Sequence, residues 1–232
     1  MRSRGQFCET AVLRPQRRED EDVITRTRAI RLPASAGQPV EKELGGWPVV
    51  ESFEPSVGDC AVGLTDLSHR PKAIVHGPAV QALGLMNPGQ AVWNGQALVG
   101  CMKPQEAVIF DLAGPMDVDW TDTAYTDMTD GWVLLGLWGP RSLEVVQRLV
   151  TVDLEPRETQ RPVFFVTGSH GIRVQLVNLR GAAPGFIISC VRSHGQNLFD
   201  ACLRSGRQFD LKITGQEAFY DWLGEASPYR KD

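Results

Sequence analysis

The chain has 232 residues, enough to bury a substantial core in one large domain or two small ones. It is 42% hydrophobic and 22% charged with a net charge of −4, which gives no overall basic pull toward nucleic acid or an anionic membrane. No apolar run reaches the length of a membrane span, and the basic start MRSRGQFCET is not followed by an apolar segment, so a cytoplasmic protein without a secretory signal is expected.

Residues 1–45 differ from the rest. Arg14 to Asp22 is a dense run of mixed charge, and Leu32 to Pro39 has the composition of a linker. The reading is an extended N-terminal arm, ordered by a partner if at all. From Gly46 to Asp232 the pattern is that of one folded domain.

Val62–Asp66 and Ala73–Val75 are apolar and strand-like. Asn94-Gly95 is a hairpin signal between Ala91–Trp93 and Ala97–Val99. Ala107–Leu112 and Trp132–Trp138 are nearly continuous apolar runs and read as buried strands. Gly139-Pro140 then opens a helix, with Leu143, Val146 and Val150 on one face. Val163–Thr167 and Arg173–Val177 read as strands around the turn Gly168–Gly171, and Phe186–Val191 as a further strand. Leu198–Arg204 is helical. Thr214 and Glu217 form a capping box that predicts a last helix through Phe219, Trp222 and Leu223. Strands and helices mix without regular βαβ alternation, so the fold class is α+β.

Cys8, Cys60, Cys101, Cys190 and Cys202 are odd in number, widely spaced and without a Cys-x-x-Cys pair. His69, His76, His170 and His194 show no ligand spacing. No metal site is expected. Asp66, Ser68 and His69 stand together, but neighbours on an extended chain point to opposite sides, and turn hydrogen bonds explain them better than a catalytic triad. Gly168-Ser-His-Gly171 lacks a nucleophile elbow. Trp93, Trp132 and Trp138 read as core, whereas Trp47 and Trp222 are candidates for contact with another chain.

The order of these signals resembles the family of the glycine-cleavage T protein, the folate-dependent aminomethyltransferases, their demethylase relatives and the T-protein-like parts of sarcosine oxidase. Gly46-Trp47-Pro48 is similar to the family's Gly-Trp-x-x-Pro. Val62-Gly-Leu-Thr-Asp-Leu-Ser-His69 followed by Val75-His-Gly-Pro78, then Leu134-Leu-Gly-Leu-Trp-Gly-Pro140, then Leu211-Lys-Ile-Thr-Gly215, resemble further family segments in the family's order. The resemblance covers residues 46–225. It implies a T-protein-like folate-binding domain of mixed, mostly antiparallel sheets with packed helices. Gly100–Glu106 partly echoes a signature of an iron–sulfur-maintenance relative, but it precedes the Gly-Pro turn, and Pro104 stands where that signature has glycine, so chance accounts for it.

Three departures bear on activity. The family's catalytic aspartate belongs on the hairpin after Pro88-Gly-Gln90; here that hairpin is short, and no aspartate occurs between Asp66 and Asp111. The family's two glutamates in the pterin-gripping segment correspond to Ala183 and Ile187, and alanine leaves the pterin's N–H groups unpaired. The sequence also stops at Asp232, before the family's C-terminal barrel domain. These departures resemble the γ-subunit of heterotetrameric sarcosine oxidase. They imply a subunit with no catalytic residue and no cofactor of its own, in a complex whose larger subunits carry flavin, within tetrahydrofolate-linked one-carbon metabolism. One alternative is a stand-alone tetrahydrofolate-dependent aminomethyl- or methyltransferase, its folate held by Arg180 with Asp127 or Asp130. Another is an assembly or binding protein outside one-carbon metabolism.

Overall fold

Strands that read Val-Leu-Leu-Gly-Leu-Trp or Phe-Ile-Ile-Ser-Cys lack alternation, and strands of that kind are covered on both faces. In the computed structural model they lie side by side in the middle of the larger sheet. The structure describes residues 24–56, 58, 60–85, 87–95, 97–112, 124–154, 162–180 and 183–226. The charged run 14–22 and Cys8 lie outside the described residues.

A hairpin comes first, β1 (Gln38–Leu44) and β2 (Trp47–Glu54), followed by β3 (Val62–Asp66), β4 (Lys72–His76) and a single helical turn, α1 (Ala79–Ala82). The strands β5 (Ala91–Asn94), β6 (Ala97–Lys103) and β7 (Glu106–Asp111) form a meander. The short β8 (Tyr125–Asp127) and the long β9 (Trp132–Trp138) follow, then α2 (Ser142–Leu149). The chain ends with β10 (Val163–Ser169), β11 (Ile172–Asn178), β12 (Gly185–Val191), α3 (Gly195–Gly206), β13 (Leu211–Thr214) and α4 (Gln216–Ala226).

Six strands form one sheet in the order β10-β11-β12-β9-β3-β13, antiparallel except for the β3–β13 pair. Five form an antiparallel second sheet, β5-β6-β7-β4-β8. The fold is α+β, as the irregular mixing of elements predicts.

The pleat sorts the core. On β9, Val133, Leu135 and Leu137 face α2 and α3, meeting Val145, Val146, Leu149, Leu198 and Phe199. Trp132, Leu134 and Trp138 face the other way, toward Phe110, Ile187 and Phe219. The strand β7 repeats the device, with Val108 and Phe110 toward the six-stranded sheet and Ala107 and Ile109 toward α1. The order of layers is therefore α2 and α3, the six-stranded sheet, the five-stranded sheet, and α1. Among the described residues no helix is long and apolar enough to cross a membrane.

Three local expectations change. The strand β1 lies within the segment read as an arm, and Gly45 and Gly46, both at positive φ, turn it into β2. The chain from residue 24 is likewise bound to its own fold. Arg26 and Arg192 both lie over the ring of Trp47, at 5.8 and 5.1 Å, and Ile30 is buried in the core. Trp47 is therefore covered by its own chain and does not await another. Finally, the capping box does not open α4. Thr214 ends β13, and its hydroxyl pairs with that of Thr65 at 2.7 Å, so the helix begins after Gly215, at Gln216.

Candidate functional site

The turn from β3 to β4 carries most of the buried polar chemistry. Asp66 accepts a hydrogen bond from the Ser68 amide at 2.9 Å. The Ser68 hydroxyl accepts from the Leu134 amide at 3.1 Å and so fastens the turn to β9. Lys72 is wholly buried, an unusual position for a lysine. Its ammonium donates to the carbonyls of Ser68 and Arg70 at 2.7 and 2.8 Å, so the turn wraps around it. Burial pushes the Lys72 amine down to about 7, against the opposing pull of Asp66. Burial also pushes the Asp66 carboxyl up, opposed by its bonds to Ser68.

His69 completes the cluster. Burial, with the neighbouring Arg70 and Lys72 charges, pushes its imidazole down to about 3, so the ring is neutral at physiological pH. A proton-shuttling histidine needs a value near the working pH. A hydrolytic triad also needs histidine between the serine hydroxyl and the aspartate, whereas here Asp66 accepts from the Ser68 amide and the Ser68 hydroxyl accepts from the Leu134 amide. Asp66, Ser68 and His69 border a cavity of about 20 Å³, closed by Arg28, Trp47 and Pro48, room for a single water. Asp66 and Ser68 hold the turn through these hydrogen bonds.

On the far side of the turn, Arg70 donates to the Asp111 carbonyl at 3.0 Å and to its carboxylate at 3.3 Å. Asp111 is buried, and the Arg70 guanidinium stands 6.0 Å from the Tyr220 ring. No aspartate precedes it in the chain after Asp66. The hairpin on which the family's catalytic aspartate belongs is closed tightly, with Asn94 paired to Ala97.

The segment that the resemblance assigns to pterin contact runs into β12. Ala183 is half-buried, Ile187 is fully buried between the sheets, and Gly185 lies under the indole of Trp222. That indole stacks on Trp138 at 5.7 Å, and Phe219 packs beside it at 5.8 Å. Trp222, a candidate for contact with another chain, is thus half-buried in its own. At the two positions that the resemblance gives to pterin-gripping glutamates stand Ala183 and Ile187, and the aromatic surface beside them, Trp222 on Trp138, is already in contact with itself. The residues present do not fit the folate group that the fold class implies.

The candidate folate ligands are held elsewhere. Asp127 accepts from the Thr129 amide at 2.8 Å and caps its own turn. Asp130 takes two hydrogen bonds from Arg26, at 2.7 and 3.1 Å, and this pairing holds its carboxyl below the usual range. Arg180 follows β11, in the other sheet from β8, at a positive φ of 49°. Asp127 and Asp130 therefore share a turn, and Arg180 belongs to a different layer.

Cys101, within the segment that echoes the iron–sulfur relative, is buried on β6, and its thiol donates to the Lys103 carbonyl at 3.2 Å. Among the described residues no group of three or more His, Cys, Asp or Glu is placed to hold a metal ion. Sequence reasoning missed the burial of Lys72. The local signal is its place just before the apolar run Ala73–Val75.

No protein-family model matches the sequence, and no curated protein does. Solved structures do match. One is a chain of the heterotetrameric sarcosine oxidase from Corynebacterium sp. U-96, in complex with pyrrole 2-carboxylate. The match has a TM-score of 0.54 and 19% identity, over 66% of this chain and 88% of that one. Another is the glycine cleavage system aminomethyltransferase T from Bartonella henselae, with a TM-score of 0.52 and 18% identity, over 79% of this chain and 57% of that one. The fold is therefore T-protein-like, as the order of sequence motifs implied.

Proposed function

We propose that the protein is a non-catalytic, T-protein-like subunit of a heteromeric amine oxidoreductase in tetrahydrofolate-linked one-carbon metabolism. The observation that carries this reading is the contact of Trp222 with Gly185 and Trp138. Trp222 packs on the segment that the resemblance assigns to pterin contact, and Ala183 and Ile187 stand at the positions of the family's two glutamates. A scaffold kept while its site is filled suits a structural partner better than a transferase.

The sarcosine oxidase match supports the same reading. The matched part is two thirds of this chain and 88% of that one, so the matched chain is the shorter of the two, and it works within a heterotetramer. In the proposed assembly, a cytoplasmic one, larger subunits carry the flavin and the groups that contact folate. The experiment is purification of the tagged chain from its native host. Larger subunits with a flavin absorption spectrum should accompany it. A lone chain that turns over an aminomethyl donor with tetrahydrofolate would replace this reading with that of a transferase.

A further inference from the structure

Two arginines lie over the ring of Phe209, which ends the short turn Arg207–Phe209 after α3, and two more stand just before it in the chain. Arg141, just before α2, places its guanidinium 4.5 Å from the ring centre, and Arg148, in the last turn of α2, stands at 5.1 Å. Arg204 lies in the last turn of α3, and Arg207 follows directly after that helix. Arg148, Arg204 and Arg207, with Ser205 and Gln208, line an open groove of about 380 Å³. Among the described residues no carboxylate lines it.

Helix polarity explains part of this arrangement, because cations are favoured at helix C-termini, where Arg148 and Arg204 stand. It does not explain why three guanidiniums border one groove, since like charges repel at short range. Nor are the charges balanced locally among the described residues. Arg141 pairs with Glu144 at 3.2 Å. Arg148 makes no ion pair among the described residues; beside the Phe209 ring it faces the uncharged amide of Gln208, whose oxygen accepts at 2.7 and 2.8 Å once the amide is assigned the orientation that satisfies both groups. Arg204 and Arg207 make no ion pair among the described residues. The chain has 28 acidic residues against 24 basic ones, so acids are not scarce.

We infer that this groove binds a diphosphate-bearing ligand. Guanidinium forks match phosphate oxygens two at a time, which an ammonium cannot do. Ser205 also lines the groove, and a serine hydroxyl is able to donate to a phosphate oxygen. Stacking on Phe209 and the bond to Gln208 fix Arg148 before a ligand arrives, which lowers the ordering cost of binding. The volume suits a compact anion with a small attached group. A peptide bearing carboxylates is the competing chemistry. It would need an apolar anchor, and the groove has only arginine stems to offer one.

The test is calorimetric titration of the full chain at low ionic strength with inorganic pyrophosphate, ADP and a hexaglutamate peptide. Pyrophosphate should bind, and added salt should weaken it. The double variant R204Q/R207Q should bind about tenfold more weakly. Both residues are exposed, so folding is not at stake. The control R173Q changes an exposed arginine on β11 outside the groove and should bind as the native chain does. Equal binding of ADP and pyrophosphate assigns the site to the phosphates alone, and tighter ADP binding assigns it to a nucleotide; both support the inference. Absent pyrophosphate binding, an equal loss in R173Q, or a preference for hexaglutamate would overturn it.

Discussion

The indole of Trp222 covers Gly185 so closely that a β-carbon built on that glycine would lie 2.0 Å from the ring. The strand β12 and the helix α4 therefore meet at a point where only hydrogen fits. Gly185→Ala should destabilise the fold by about 1–3 kcal/mol, the usual penalty for overpacking a filled core. Urea denaturation measures this. Adding Trp222→Leu to Gly185→Ala should recover part of the loss, because a smaller side chain makes room. A double variant weaker than the sum of the two single changes would show that the contact is not the cause.

Gly139 links β9 to α2 at a φ of +107°, and a β-carbon there would come within 2.8 Å of the Ala61 carbonyl. Two penalties, conformational and steric, act at one residue. Gly139→Val should cost about 1–3 kcal/mol or more, read as a lowered melting temperature. A melting temperature equal to that of the native chain would contradict the assignment.

Much of this architecture was legible in the sequence. Val62–Asp66 and Trp132–Trp138 are strands with the bounds the apolar runs gave them. A strand buried on both faces leaves an uninterrupted apolar record, and Gly139 marks its end. The strand β1 left no such record. Glu41, Lys42 and Glu43 are exposed, and only Gly45-Gly46 signals a hairpin. Ala183, at a position that the resemblance gives to a glutamate, was also legible, because it is a matter of residue identity. The packing of Trp222 on Gly185 was not, since that contact joins residues 37 positions apart. The arginine groove draws on α2, α3 and the turn after α3, so no single window of sequence contains it.

His69 ties stability to acid. Its imidazole is pushed down to about 3 in the folded chain from an ordinary value of 6.5, chiefly by burial. Between those values the unfolded chain holds a proton that the folded chain lacks. The contribution is fully present above pH 6.5 and is lost as pH falls toward 3. Asp66, with its carboxyl raised, works in the opposite sense over part of this range. The comparison with His69→Gln isolates the imidazole. The native chain should lose stability more steeply between pH 6.5 and 4, by up to about 1.4 kcal/mol per pH unit. Parallel curves for the two proteins would rule this out.

Lys72 acts on the alkaline side with the same slope sign. Burial lowers its amine from 10.5 to about 7 in the folded chain. Below pH 7 both folded and unfolded chains carry the proton, and the burial cost of the charge is fully present. From pH 7 toward 10.5 the folded chain releases a proton that the unfolded chain keeps, so stability rises with pH. Cys190 and Cys202, pushed up to about 12 by burial, oppose this rise above pH 9, where unfolded thiols begin to ionise. The informative window is therefore pH 7–9. There the native chain should gain up to about 1.4 kcal/mol per pH unit in urea denaturation, and Lys72→Met should show little slope. Methionine leaves the Ser68 and Arg70 carbonyls without their donor, so the variant should also be less stable at pH 9. Should it be too unstable to study, the Lys72 ammonium can be titrated in the native chain by nuclear magnetic resonance. A midpoint near 10.5 would show that the turn does not desolvate this lysine.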